Sequence, residues 1–166
     1  TRLVGSEMCI RDSAYMGGDA RRIQHFIKVH ALAQLIGRQE QLDERTQFIL
    51  EAAALTHDIG IKNGEAKFGA GKCSGKTQEL EGPPAAAELL AKLGFAPDVC
   101  ERVCYLIGHH HTYTNIDGMD YQILVEADFL VNFYEDGMSK EAIQTACGRI
   151  FKTASGIRLC RQMFGI

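Results

Sequence analysis

The chain has no tryptophan, only three prolines and no run of basic residues, and its formal net charge is -3 over 166 residues. Without a basic stripe, non-specific binding to nucleic acid or to an anionic membrane surface is not expected. No apolar stretch is long enough to cross a bilayer. Neither strand-like alternation nor an internal repeat stands out, which leaves helices as the building units. Six cysteines are present (Cys9, Cys73, Cys100, Cys104, Cys147 and Cys160), yet none forms a CxxC pair. Cys100 and Cys104 lie one helical turn apart and suit small core residues better than a bridge. With no signal peptide in the sequence, reduced thiols and a cytoplasmic location are expected.

The length suits one compact domain with a sizeable core, and the helical patterns predict an all-α, single-domain bundle of about six to seven helices. The first stretch, TRLVGSEMCIRDS, shows no periodicity. It reads as translated adapter sequence, with a frayed native tail as the alternative. Residues 1–15 are therefore set aside from residues 16–166, with Met16 as a candidate start.

The chain is organised around Thr56-His57-Asp58-Ile59 and the Gly60 that follows. Before it, FILEAAALT is a strongly apolar helical run whose helix begins near Asp43, a good N-cap. Inside a regular helix, neighbouring side chains point about 100° apart and cannot easily share a target. At a helix end they can, and Gly60 is expected to free the backbone there. That end also carries the negative pole of the helix dipole, which favours a cation. A buried carboxylate beside a buried imidazole is costly unless paired or metal-bound. For the pair alone, a cap by Asp58 with a carbonyl bond from His57 stands level with metal binding. Read with His25 upstream and Asp128 downstream, the pair suits a divalent ion.

The first helix is expected over Ala20 to Ile36, capped by Asp19 and stopped by Gly37. Phe26, Val29, Ala33 and Ile36 form its apolar face. His25 lies at the edge of that face, one turn after Arg22, and alone it reads as a hydrogen-bonded boundary histidine. His30 reads as a packing residue. Residues 62–78 read as a loop rich in Gly, Lys and Ser. Within it, AGKCSGKT misses the phosphate-loop pattern by one residue, because Ala70 stands where the first glycine belongs, and no buried strand precedes it. Lys62, Lys72 and Lys76 read as solvated, with a lid meeting substrate phosphate as the alternative.

Glu81-Gly82-Pro83-Pro84 is expected to start a third helix. Glu81 then reads as a capping carboxylate, with a second-metal role as the alternative. Pro97 opens a fourth helix that ends in His109-His110-His111. Val103, Leu106, Ile107 and His110 share a face, so His110 points inward. Two of the three histidines are expected to face the site, with His111 toward solvent. A helix through YQILVEADFLVNFYED is apolar almost all round and hence central. Asp128 on it shares a face with Leu124, Ala127 and Val131, and it needs a strong partner, either a salt bridge or a metal. Glu126 lies on a different side and receives no role. Two tail helices, from Ser139 and from about Ser155, close the bundle.

Together, a helix carrying RIQH, a second ending in LTHDIG, histidines further on and a helix carrying EADFL resemble the HD-domain superfamily of metal-dependent phosphohydrolases over residues 19–135. The resemblance implies His25, His57, Asp58 and Asp128 as metal ligands. It also implies cleavage of a phosphoester of a nucleotide or other small phosphorylated metabolite by a metal-activated water. The mixed nitrogen and oxygen set suits a divalent manganese, iron, cobalt, nickel or zinc ion and is unlike a structural thiolate zinc site. Catalytic candidates on this basis are Asp58, Lys62, His109 and His110. Arg22, Lys62 and His110 are candidates for substrate phosphate, and Glu81, His109 and His110 for a second ion.

HHHTYTNIDGMDY followed by VEADFL is also loosely similar to a segment of the HD-GYP relatives. The GYP triplet is absent, so activity on cyclic di-GMP is not implied. Many HD hydrolases place Lys directly after HDIG, and small nucleotidases of the superfamily place an acid three residues after the HD aspartate. Ile61 occupies that position here. Two alternatives come from other classes. One is a non-catalytic binding or signalling module, against which the full ligand set speaks. The other is a di-iron oxygenase drawing extra ligands from His109, His110 and Glu81.

Overall fold

The structure, a computed structural model, describes residues 14–166, so the reading of residues 1–15 as a tail lies outside it except at the last two positions. Of these, Tyr15 packs against the core, and its hydroxyl donates to Asn63 Oδ1 at 3.3 Å. Met16 is buried.

The described residues are all-helical. The helices are α1 (Ala20–Gln39), α2 (Glu44–Thr56), α3 (Gly60–Phe68), α4 (Gly75–Lys92), α5 (Pro97–Ile107), α6 (Met119–Glu135), α7 (Lys140–Ile150) and α8 (Ala154–Phe164). Short polar side chains set most of their starts by accepting from the first-turn amides. Asp19, Asp43, Ser74, Ser139 and Thr153 do this for α1, α2, α4, α7 and α8. Pro97, which has no N–H to leave unpaired, opens α5.

Glycine does other work here than punctuation. Helix α1 continues through Gly37 because the missing side chain makes room for Gln47 of α2. A Cβ there would lie 2.2 Å from Gln47 Oε1. Gly60 does not release the chain either, since it begins α3. A Cβ on Gly60 would lie 2.5 Å from the backbone nitrogen of Gly82, so its bareness lets α3 and α4 touch backbone to backbone.

The stretch 62–78 is mostly helical, not a loop. It completes α3, turns at Gly69 and Gly71, and begins α4 at Gly75 under the Ser74 cap. Pro83 and Pro84 therefore lie inside α4 and do not open it, and Glu81 is mid-helix. Each proline removes one helical hydrogen bond. Helix α4 nevertheless continues through both, packed on α3 and α5, and the Cys104 thiol donates to the Pro83 carbonyl at 3.4 Å.

Helix α6 is the central element. It packs on α1, α2 and α8, and Ile123, Leu124, Ala127 and Leu130 are fully buried. Burying one such Leu or Ile side chain contributes roughly 1.5–3 kcal/mol. That apolar surround raises the electrostatic stakes for Asp128 on the same helix. Glu126, also fully buried on α6, has a structural role. It accepts from Gln122 Nε2, from the amides of Lys152 and Thr153 and from the Thr153 hydroxyl, which ties the start of α8 to α6. No helix among the described residues is long and apolar enough to cross a membrane.

Candidate metal centre

Four elements converge where α2 ends. His57 is the C-cap of α2, and its Nδ1 lies 2.9 Å from the Ala54 carbonyl. A carbonyl can only accept, so Nδ1 carries the hydrogen and Nε2 points into the centre. His25 comes from α1. Its Nδ1 meets Glu135 Oε2 at 2.9 Å, while its Nε2 lies 3.2 Å from Asp128 Oδ1 and 3.3 Å from His57 Nε2. Asp128 comes from α6 and is held by Asn132 Nδ2 at 2.9 Å. Asp58, in the turn between α2 and α3, puts Oδ2 3.7 Å from both His25 Nε2 and His57 Nε2. Asp128 Oδ1 also lies 3.6 Å from His57 Nε2, so both carboxylates approach the same two imidazole nitrogens. His25, His57 and Asp58 offer ligand atoms all within 4.8 Å of one another.

His110 adds a fifth group. It lies in the turn after α5, fully buried, with Nδ1 2.7 Å from the Ile107 carbonyl. Its Nε2 is buried without a hydrogen-bond partner and lies 3.6 Å from Asp58 Oδ1, too far for a hydrogen bond. Three imidazoles therefore spend their Nδ1 hydrogens on outer acceptors and turn Nε2 toward two carboxylates. Nε2 of His25 shares a hydrogen bond with Asp128, whereas Nε2 of His110 has no partner. The cluster is able to hold a divalent cation, since three imidazole nitrogens and two carboxylates are a hard-to-borderline donor set once the cation takes the place of the ring protons.

Charge adjusts to this geometry in the metal-free protein. Burial pulls the His57 imidazole down, but the Asp58 and Asp128 carboxylates outweigh it and hold the ring at about 10. His25 is likewise raised, against its burial, by its bond to Asp128. Burial pushes Asp58 and Asp128 up, and the facing imidazoles outweigh that and hold both well below the usual carboxylate range.

A second group of ligand atoms shares Asp58. Asp58, His110 and His111 also lie within 4.8 Å of one another. His111 does not face solvent as expected. Its ring lies 4.0 Å from that of His110, its Nε2 is 2.8 Å from Gln78 Oε1, and Gly75 of α4 packs against it. Burial above all pushes it down to about 4, so it is neutral at ordinary pH. His109 is the member that turns away, stacked on Tyr105 at 4.2 Å with Nδ1 on the Tyr105 carbonyl. The turn is rigidly held. The Tyr121 hydroxyl sits between the carbonyls of His109 and Thr112, and Glu79 of α4 accepts from the His111 amide and the Thr112 hydroxyl. Tyr113 follows, its phenol pushed up to about 12 by burial and by the charges of Asp128 and Glu79.

Other candidates stay outside. Lys62 is exposed, with Nζ on the Tyr15 carbonyl at 2.8 Å and over the Tyr15 ring. Glu81 pairs with Lys67 at 2.7 Å, because its mid-helix position points it at α3. Arg22 is shared between Glu65 at 2.7 Å and Asp19 at 3.2 Å, though it lies in the field of Asp58. Sequence reasoning missed Glu135, which orients His25 and is itself paired with Lys28. A signal for it existed: Asp128, Asn132 and Glu135 recur at helical spacing along one stripe of α6.

A model of the HD domain matches residues 22–155 of the chain. No curated protein sequence matches it. Among solved structures, a crystal structure described as a predicted HD superfamily hydrolase from an uncultured Thermotogales bacterium is similar, with a TM-score of 0.66 and 24% identity. The match covers 99% of this chain and 85% of that one. At that identity the likeness speaks for the fold.

Proposed function

The chain belongs to the HD domain family, and from that premise we propose that it is a metal-dependent phosphohydrolase cleaving a phosphoester of a nucleotide or other small phosphorylated metabolite. The observation that carries this reading is the convergence of three imidazole Nε2 atoms on two carboxylates, with Nε2 of the buried His110 left without a hydrogen-bond partner. His25, His57, Asp58 and Asp128 are the proposed ligands of a divalent manganese, iron, cobalt, nickel or zinc ion. Such an ion lowers the pKa of a bound water and polarises a phosphoryl oxygen.

The chain's own groups supply the rest. Glu135 and the carbonyls of Ala54 and Ile107 hold the Nδ1 side of each ring and so turn Nε2 toward the centre. Asp58 is the carboxylate common to both ligand groups and the group best placed to orient a nucleophilic water. Arg22, which lies in the field of Asp58, is a candidate for the phosphate, and binding one requires it to loosen its hold on Asp19 or Glu65. Lys62 would have to leave the Tyr15 carbonyl to take part.

A two-ion variant of this reading is favoured by the second group, Asp58, His110 and His111. It replaces Glu81 and His109 as candidates for a second ion. Metal content of untagged protein by plasma mass spectrometry, followed by a phosphoester screen with added manganese, cobalt and nickel, tests both forms. About one or two ions per chain with metal-dependent phosphate release is the expected result. Two irons with oxygen consumption and no phosphate release would move the chain to the oxygenase class. No metal after reconstitution would leave a binding module.

A further inference from the structure

An aromatic ring stands at the edge of the candidate metal centre. Tyr113 is 43% exposed, although its hydroxyl lies 3.5 Å from His111 Nδ1. Its ring meets Phe129 edge to face, with centroids 5.0 Å apart and planes at 60°. Phe129 is the residue after Asp128 on α6, and it leans in turn on the fully buried Phe133 at 5.5 Å. The ring is thus anchored to the core through two further aromatics. Its position is also fixed along the chain, because Tyr121, Glu79 and the Arg102 pairs with Asp117 and Asp120 hold the turn on either side of it. A single exposed tyrosine on a surface needs no explanation. This one is braced, is half exposed, and touches through its hydroxyl the ring of His111, one of the ligand-group histidines.

We propose that Tyr113, backed by Phe129, is a specificity-determining wall that stacks a flat aromatic group carried by the phosphoester. This rests on the phosphohydrolase reading for the phosphate, but the stacking face makes its own claim on the rest of the substrate. A base stacked on one aromatic side chain is a strong, sequence-tolerant contact, and a sugar phosphate lacking the base forfeits it.

The test compares adenosine 5′-monophosphate with ribose 5-phosphate on the full, metal-loaded chain, by equilibrium binding and separately by phosphate release. The wild-type protein should bind the nucleotide roughly tenfold more tightly, the size of one stacking contact. Tyr113→Ala should collapse that ratio toward one, and Tyr113→Phe should keep it, since the face and not the hydroxyl does the stacking. Phe129→Leu, which removes the brace and leaves the wall, should lower the ratio in part, and it serves if Tyr113→Ala fails to fold by circular dichroism. Equal binding of the two probes by wild type would overturn the proposal. So would a ratio that survives Tyr113→Ala, or one that Tyr113→Phe abolishes. A retained binding ratio with no phosphate release from either probe would sink the phosphohydrolase reading and leave the stacking wall standing.

Discussion

Metal uptake should expel protons from the centre. In the metal-free protein the carboxylates of Asp58 and Asp128 hold His57 at about 10 against its burial, so the ring is almost fully protonated at neutral pH. Its Nδ1 hydrogen is committed to the Ala54 carbonyl, so the labile proton sits on Nε2, where a cation would bind. His25, also raised, adds a second proton over part of the same range. A cation must displace them. Between pH 6.5 and about 10, each unit of pH should therefore strengthen binding about tenfold, or roughly 1.4 kcal/mol, per proton displaced. Isothermal titration of manganese or zinc into stripped protein, in two buffers of different ionisation enthalpy, counts the protons. About one to two per ion are expected near neutral pH. A count of zero would show that His57 is neutral before metal arrives, and the balance of charges argued here would be wrong.

The same shifts set the stability of the metal-free form. The raised His57 contributes stability that is full below its ordinary 6.5 and lost as pH rises through about 10. The depressed Asp58 and Asp128 contribute stability that is present above their ordinary 3.8 and lost as pH falls. The melting temperature of stripped protein should decline on both sides, and saturating metal should remove the alkaline decline.

Four further outcomes are expected. Asp128→Ala should lose stoichiometric metal and with it the metal-dependent rise in melting temperature, which at a hundredfold excess over Kd amounts to about 2.7 kcal/mol, or roughly 5–10 °C, by scanning calorimetry. Glu135→Ala should weaken metal binding by roughly 10–100-fold in a competition assay by freeing the His25 ring, while Glu135→Gln, whose amide oxygen still accepts from Nδ1, should recover part of it. His111→Ala should lower the content of a second ion while His109→Ala leaves metal content unchanged, and the reverse pattern would mean that the turn faces the other way. Gly60→Ala should destabilise by about 1–3 kcal/mol in urea unfolding, because the added carbon would press on the Gly82 backbone, which cannot rotate aside.

Much of the frame was legible along the chain. Asp19, Asp43 and Ser139 begin helices as their side-chain chemistry predicts, and the apolar run before His57 is the buried end of α2. The inward phase of His110 follows from Val103, Leu106 and Ile107 sharing its face, and the buried face of Asp128 from Leu124, Ala127 and Val131. Where the sequence misled, a local rule met a distant contact. Glycine and proline suggested a stop at Gly37, a release at Gly60 and a start at Pro83. At Gly37 and Gly60 a neighbouring helix instead packs where the side chain is missing, and at Pro83 the helix runs on from its start at Gly75.

The sequence by itself determined an all-helical domain, the order of its chemistry-bearing residues and which of them point inward. Those properties follow from 3.6-residue periodicity and from capping, which act over a few residues. Only the tertiary structure decided which histidine of the 109–111 run turns away, that Asp58 is common to two ligand groups, and that Glu135 holds His25 from α6. Apart from the stack of His109 on Tyr105 one turn back, those depend on side chains brought together across long stretches of chain, where no local spacing carries the information. The inward turn of the Nε2 atoms is likewise a tertiary fact, since each ring's orientation is set by the acceptor the fold places behind it.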